Sequence, residues 1–306
     1  MPDVIVLGAG VAGLSAALWC DELGLKTLVL EPESEIGGQL VWVFNPIENH
    51  LGAPTAQNGR DLRDRIAEQI KGRNFQLRLD SKINAVDLAA KTVFLEGGES
   101  LSARALVLAT GVSRRKLNVP GENEFRGRGI LESGKRDAFL TAGKTVCVIG
   151  GGDAAAENAL ILAEFAAKVY LVHRRIEFRA RAEFLDKIRE NPKIETLTGT
   201  RVTKIIGGEV VEKIELQNQT GNVFQIAVEA IITRIGVKPN TELFRGQIEL
   251  DNGNYIKVNS RCETSLENIF AAGDVANSVA PTVSSAVGMG ATAAKAIFEE
   301  IYKLAR

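Results

Sequence analysis

A glycine turn set between two short apolar runs opens this chain and returns near its middle. Residues 3–7 (DVIVL) are an apolar, β-branched run that predicts a buried strand. Gly8-Ala9-Gly10-Val11-Ala12-Gly13 follows at once, residues 14–23 carry helical spacing, and residues 27–30 are a second apolar run ending on Glu31. Strand, glycine turn, helix, strand and acid in this order predict a βαβ unit that holds a dinucleotide. Gly8 permits the tight turn, Gly10 lets a pyrophosphate approach the backbone, and Gly13 lets the helix lie close to the strand. The free amides at the helix start, around Val11 and Ala12, favour phosphate. Glu31 lies 23 residues after Gly8, where a carboxylate accepts hydrogen bonds from an adenosine ribose.

The pattern repeats. Residues 145–149 (TVCVI) precede Gly150-Gly151-Gly152-Asp153-Ala154-Ala155, residues 154–167 are strong helix formers, and residues 169–172 are the next strand. His173 lies 23 residues after Gly150, the interval that separates Gly8 from Glu31. Two matched units predict two nucleotide sites.

Between them, residues 58–71 read as an amphipathic helix with Leu62, Ile66 and Ile70 on one face. Residues 75–79, 83–86, 92–95 and 105–108 read as strands, the last running into Ala109-Thr110-Gly111. After the second unit come a charged helix at 179–190 and strands at 202–206, 210–217, 222–227 and 230–235, the last ending on Gly236. A final buried strand at 269–272 meets Gly273-Asp274, and residues 281–302 close the chain as a helix with Pro281 in its first turn. Pro120-Gly121 and Lys238-Pro239-Asn240 punctuate the chain as crossings. The expectation is an α/β chain of two Rossmann-like dinucleotide-binding domains. The first comprises residues 1–117 plus 241–306, and the second, residues 118–240, is inserted into it.

The two units differ where the nucleotide would differ. The first ends in a carboxylate, which suits a ribose without a 2′-phosphate. The second ends in His173-Arg174-Arg175-Ile176-Glu177-Phe178-Arg179. Arginines there bind a 2′-phosphate through charge-assisted, bidentate hydrogen bonds. The second site therefore reads as an NADPH site, and the first as one for a dinucleotide other than NADP.

A net charge of −1 gives no argument for nucleic acid or an anionic membrane surface. No apolar run is long enough to span a bilayer, and the first strand starts too early to leave room for a signal peptide, so a cytoplasmic location is expected. No metal is expected. The three cysteines, Cys20, Cys147 and Cys262, form no CxxC pair. Cys20 and Cys147 fall in predicted core elements, where a thiol serves as a small apolar side chain.

With these residues in hand, the chain resembles the low-molecular-weight thioredoxin reductase family of flavoproteins nearly from end to end. The markers are GAGVAG at 8–13, GGQL at 37–40, ATG at 109–111, GGGDAA at 150–155, HRRxxFR at 173–179 and AAGDV at 271–275. The resemblance implies FAD in the first site and NADPH in the second. It places Gly38, Gln39, Asn49, Thr110 and Gly111 along the flavin nucleotide, with Gly273 and Asp274 at the ribitol or pyrophosphate. Thr282 and Val283, at the start of the last helix, would face the flavin ring. Gly150, Gly152, Asp153, Ala154, His173, Arg174, Arg175, Arg179 and Gly236 would belong to the NADPH side. The resemblance also implies a homodimer.

One departure bears on mechanism. The family carries a CxxC dithiol just before the second Rossmann strand. Alignment through Gly127-Arg128-Gly129 and the second glycine turn puts Ser133 and Arg136 on those cysteines. A disulfide relay needs two thiols. The family's following acid is kept as Asp137, where a capping or ion-pair role is expected. The reading that follows is an oxidoreductase that takes a hydride from NADPH and passes electrons from its flavin directly to an acceptor, a redox protein or small molecule. Ferredoxin/flavodoxin–NADP reductases of this fold are the nearest precedent. A basic stretch from Arg114 to Arg136 could dock an acidic redox protein. Two alternatives stand beside it: a disulfide reductase that uses its partner's cysteines, and a non-catalytic flavoprotein that senses NADPH. No catalytic residue is singled out, although His50 is a candidate acid–base group near the flavin.

Overall fold

The computed structural model describes residues 1–53 and 56–302. Its α-helices are α1 (Val11–Glu22), α2 (Gly59–Ile70), α3 (Asp153–Ala163), α4 (Ala182–Glu190) and α5 (Val283–Tyr302). Contacts divide the chain into two units, Met1–Ser113 with Lys238–Arg306, and Arg114–Val237.

The first unit is built on a parallel five-stranded sheet in the order Ile269–Ala271, Ala105–Leu108, Val4–Leu7, Thr27–Leu30, Gln76–Arg78. Val4 pairs with both Thr27 and Ala105, so the opening strand is central, and all four of its residues are fully buried. Alternation across the strand assigns two faces. Val4 and Val6 pack with α1 and α5, whereas Ile5 and Leu7 pack against a three-stranded antiparallel sheet of Ile83–Asp87, Thr92–Leu95 and Ser100–Ser102. A strand covered on both faces must be apolar throughout, which is why DVIVL shows no polar alternation.

α1 is held tightly. A Cβ on Gly13 would lie 1.9 Å from the Gly8 carbonyl oxygen, and one on Gly290 of α5 would lie 2.3 Å from that of Ala12. Both glycines are steric requirements of close packing. α2 starts where Asn58 caps it, its side chain accepting the Asp61 amide at 3.0 Å.

The second unit repeats the plan. Its parallel sheet runs Ile194–Leu197, Lys168–Val172, Thr145–Gly150, Ala230–Arg234, Ile130–Leu131. Val146 and Val148 pack under α3 and α4. Cys147 and Ile149 face an antiparallel sheet of Thr200–Gly207, Val211–Asn218 and Val223–Ala227.

Several boundaries differ from expectation. Pro281 lies outside the last helix, because Thr282 and Ser285 cap each other's amides (both 3.2 Å) and the helix starts at Val283. The charged helix starts at Ala182 rather than at 179, since Arg179 donates its amide to the Gly151 carbonyl at 2.6 Å and holds the preceding loop on the glycine turn. Pro120-Gly121 sits inside the second unit, where the Ile205 amide donates to the Pro120 carbonyl at 2.9 Å. Val112–Arg114 and Val237–Pro239, where the chain passes between the units, pair as a two-stranded ribbon. Among the described residues no helix is long and apolar enough to cross a membrane.

Candidate dinucleotide sites

The first site lies at the carboxyl end of the Val4–Leu7 strand. Gly8 has φ +108°, and a Cβ there would lie 2.5 Å from the Ala109 oxygen, so the turn accepts only glycine. Gly10 caps α1 with no side-chain hydrogen bond, no acid lies in the first turn, and a Cβ at Gly10 would meet nothing within 4 Å. Protein therefore does not demand glycine at position 10; the free space and the uncapped amides of Val11 and Ala12 fit a pyrophosphate. Glu31 is buried, and its two oxygens accept the amides of Ala9 (2.7 Å) and Glu33 (3.1 Å). Burial pushes its carboxyl up, and those amide bonds oppose the shift. A carboxylate has about four lone-pair sites, so acceptor capacity remains for ribose hydroxyls.

Gly273 (φ +78°) packs so close to α1 that a Cβ would lie 2.7 Å from the Ala12 Cβ. This contact brings Asp274 beside the helix start. Burial raises its carboxyl, and among the described residues that carboxylate has no hydrogen-bond partner. Gln39 donates its side-chain amide to the Val112 carbonyl at 2.9 Å, while Gly38 and Asn49 are exposed. Thr110 and Gly111 are clamped by Asn240, which donates its side chain to the Thr110 carbonyl (2.8 Å) and its amide to the Gly111 carbonyl (3.0 Å). Thr282 caps α5, and the adjacent Val283 is half-buried. His50 Nδ1 lies 3.0 Å from the Ser284 hydroxyl, which ties the histidine loop to the start of α5.

Gly38 is an expected member of this site, whereas the seat of Gly37 and the clamp by Asn240 are not. Gly37 (φ +112°) donates its amide to the Ala9 carbonyl at 2.9 Å, and Gly38 packs on Gly10 so that a Cβ would lie 3.2 Å from the Gly10 Cα. The adjacent glycines were the only local signal. Asn240, part of an expected crossing, is the clamp on Thr110.

The second site repeats the geometry. Gly150 (φ +155°) is forced by the Arg234 carbonyl, 2.2 Å from where a Cβ would lie. Gly152 caps α3 with no side-chain hydrogen bond, and a Cβ there would meet nothing within 4 Å. Asp153 turns away to accept the Arg181 amide (2.8 Å) and Nε (2.9 Å), while the neighbouring Ala154 is exposed.

His173 is buried against the turn itself. A Cβ on Gly151 would lie 2.2 Å from its ring, which stacks on Phe178 at 5.4 Å. Its Nε2 is buried and has no partner among the described residues. Burial, then Arg179, Arg175 and Arg174, lower its pKa and favour the neutral ring. Those three arginines are exposed, and none has an ion-pair partner among the described residues. An orphaned ring nitrogen beside an uncapped helix start and three unpaired guanidiniums fits a phosphate-rich dinucleotide. Gly236 (φ +90°) is exposed, and its carbonyl accepts the Arg115 amide at 2.9 Å.

The Ser133–Asp137 turn is closed on itself. Asp137 Oδ2 accepts the amides of Glu132 and Ser133, both at 3.0 Å, and Ser133 Oγ accepts the Arg136 amide at 3.2 Å. Arg136 donates Nε and Nη2 to the two Asp137 oxygens. All three cysteines are free and buried, and burial raises Cys20 to about 12 and Cys262 to about 11, with Cys147 raised as well. Thiols with such pKa values are poor nucleophiles.

A family model for pyridine nucleotide-disulphide oxidoreductases matches residues 2–290. The thioredoxin reductase of Mycolicibacterium smegmatis is 39% identical over 295 residues, which is 95% of this chain and 94% of that protein. Glucosaminate ammonia-lyase of Pseudomonas fluorescens is 36% identical over 300 residues, 95% of this chain and 93% of that one. The crystal structure of Lactococcus lactis thioredoxin reductase superposes with a TM-score of 0.86 at 29% identity, covering 99% of this chain and 100% of the other. Family membership implies binding of FAD and NADPH. The chain belongs to the pyridine nucleotide-disulphide oxidoreductases, as a redox enzyme of the thioredoxin-reductase-like flavoprotein type without a CxxC pair.

Proposed function

We propose that this chain takes a hydride from NADPH and passes electrons from FAD directly to an acceptor, with no dithiol between them. When bound, FAD supplies the two-electron chemistry, and the protein supplies binding, orientation and electrostatics. In this reading the first glycine turn seats the FAD pyrophosphate, Glu31 holds the adenosine ribose, and Asp274 holds the ribitol side. Gln39, Asn49, Thr110, Gly111, Thr282 and Val283 line the rest. The second turn seats NADPH, with Arg174, Arg175 and Arg179 on the 2′-phosphate. The protein acts as a homodimer in the cytoplasm.

The observation that carries the reading is a closed turn in which Ser133 and Arg136 take the positions aligned with the family's dithiol and Arg136 pairs with Asp137, in a chain whose three cysteines are buried. Relatives that bear different activity names, a thioredoxin reductase and a glucosaminate ammonia-lyase, are of similar identity to it. Family membership therefore leaves the acceptor open. The basic stretch is largely engaged within the chain: Arg114 and Arg126 turn to Glu132, Arg128 to the Glu124 and Glu209 carbonyls, and Arg115 to the Val237 carbonyl. This argues for a small acceptor over an acidic redox protein.

The test is anaerobic reduction of the FAD-loaded protein by NADPH, followed by mixing with quinones, flavodoxin, ferredoxin or thioredoxin. Reoxidation by an acceptor without disulfides, and none by thioredoxin, is expected. Rapid thiol formation on thioredoxin would favour the disulfide reductase reading, and failure of every acceptor would favour a sensor.

A further inference from the structure

Arg234 and Arg114 point their guanidiniums at one backbone oxygen. Arg114 Nη1 donates to the Glu132 carbonyl at 2.6 Å, and Arg234 Nη2 donates to the same oxygen at 3.0 Å. The remaining bond of Arg234 goes to its own neighbour, from Nη1 to the Thr233 carbonyl at 2.9 Å. A guanidinium has five N–H donors, so both keep donors in reserve. The surrounding charges do not balance. Arg114, Arg126, Arg136 and Arg234 gather around Glu132 and Asp137, with Glu157 the next acid within reach of Arg234. Asp137 is saturated by Arg136 and two amides, and the Glu132 carboxylate stands 3.8 Å from Arg114 and 3.4 Å from Arg126. Burial, and then the charge of Arg114, lower Arg234 to about 10. Two like charges, Arg114 exposed and Arg234 half-buried, sharing one neutral acceptor is a frustrated arrangement, and an anion relieves it.

The location is that of a ligand. Arg234 ends its strand in register with Gly150 of the glycine turn, and Glu132 follows the neighbouring strand Ile130–Leu131. Ligands of doubly wound sheets bind outside the carboxyl ends of the strands. The arginines for the 2′-phosphate follow the strand on the other side of Thr145–Gly150. The Arg114–Arg234 pair therefore lies on the nicotinamide side.

We propose that Arg114 and Arg234 form an oxyanion subsite for a carboxylate or phosphate group of a small molecule. Resting on the direct-transfer reading above, the inference makes the electron acceptor a small organic anion. The planar fork of arginine matches both groups bidentately.

The test is calorimetric titration of FAD-loaded, NADP⁺-saturated protein with inorganic phosphate and with succinate at constant ionic strength. Saturable one-site binding of either is expected. Phosphate alone points to an electron acceptor that carries a phosphate group, and succinate alone to one that carries a carboxylate. Arg114→Gln and Arg234→Gln should each weaken binding at least about 10-fold, the order expected for one charge-assisted bond. Arg189→Gln, on the exposed side of α4, should not weaken it. Flavin content and Tm report folding, and Arg234→Lys, which keeps the charge but loses the fork, carries the test if Arg234→Gln fails to fold. No binding of either anion, binding unchanged in the variants, or binding seen only without NADP⁺ overturns the subsite. The measurement involves no turnover, so its failure leaves direct electron transfer untouched.

Discussion

Arg136 chelates Asp137, Nε lying 2.5 Å from Oδ1 and Nη2 2.9 Å from Oδ2. The same carboxylate holds the Glu132 and Ser133 amides. Asp137 is thus the hub of a closed turn.

This turn has a pH signature. Burial raises the Asp137 carboxyl, but the bonds from Arg136, Ser133 and Glu132 outweigh burial and leave it below the usual carboxylate range. A depressed native pKa contributes stability that is complete above the unfolded value of about 3.9 and is lost as pH falls through the native one. Asp137→Asn should destabilise the protein by about 1–3 kcal/mol at pH 7. The gap between the two melting curves should close below about pH 4. A gap independent of pH would show that the charge is not what holds the turn.

Selectivity for NADPH should reside in Arg174, Arg175 and Arg179. One charge-assisted bond is worth about 1.5–3 kcal/mol, so Arg174→Ala should weaken NADPH roughly 10–100-fold and leave NADH nearly unchanged. Steady-state kinetics with both cofactors measures this, and an equal loss with NADH would sink the assignment.

The two glycines that flank the start of α1 should behave differently. A Cβ at Gly10 would meet no protein atom within 4 Å beyond its chain neighbours, whereas one at Gly13 would collide with the Gly8 oxygen. Gly10→Val should therefore fold but lose FAD, and Gly13→Val should lose the fold. Flavin content read beside circular dichroism separates them. A fully flavin-loaded Gly10→Val protein would contradict the pyrophosphate seat.

Much of this was legible because the demands are local. Apolar runs buried on both faces, an Asn58 cap and two glycine turns each leave a mark within a few residues. What was not legible arises from contacts between distant segments. Gly38 meets Gly10 only once the loop folds back, and His173 meets Gly151 only across two parallel strands. The strands Ser100–Ser102 and Ile130–Leu131 are too short to show a period. Arg114 and Arg234 are far apart in sequence, and sheet register alone carries Arg234 to the end of the strand beside Glu132.

Electron capacity tests the central claim most directly. FAD alone accepts one hydride equivalent, and the chain has no CxxC, with Ser133 and Arg136 at the positions that the resemblance aligns with the dithiol and Cys20, Cys147 and Cys262 free and buried. An anaerobic reductive titration should bleach the flavin completely with about two electrons per FAD, with no thiol appearing. A stoichiometry near about four electrons per FAD, with two new thiols per chain, would reveal a hidden disulfide and contradict direct transfer.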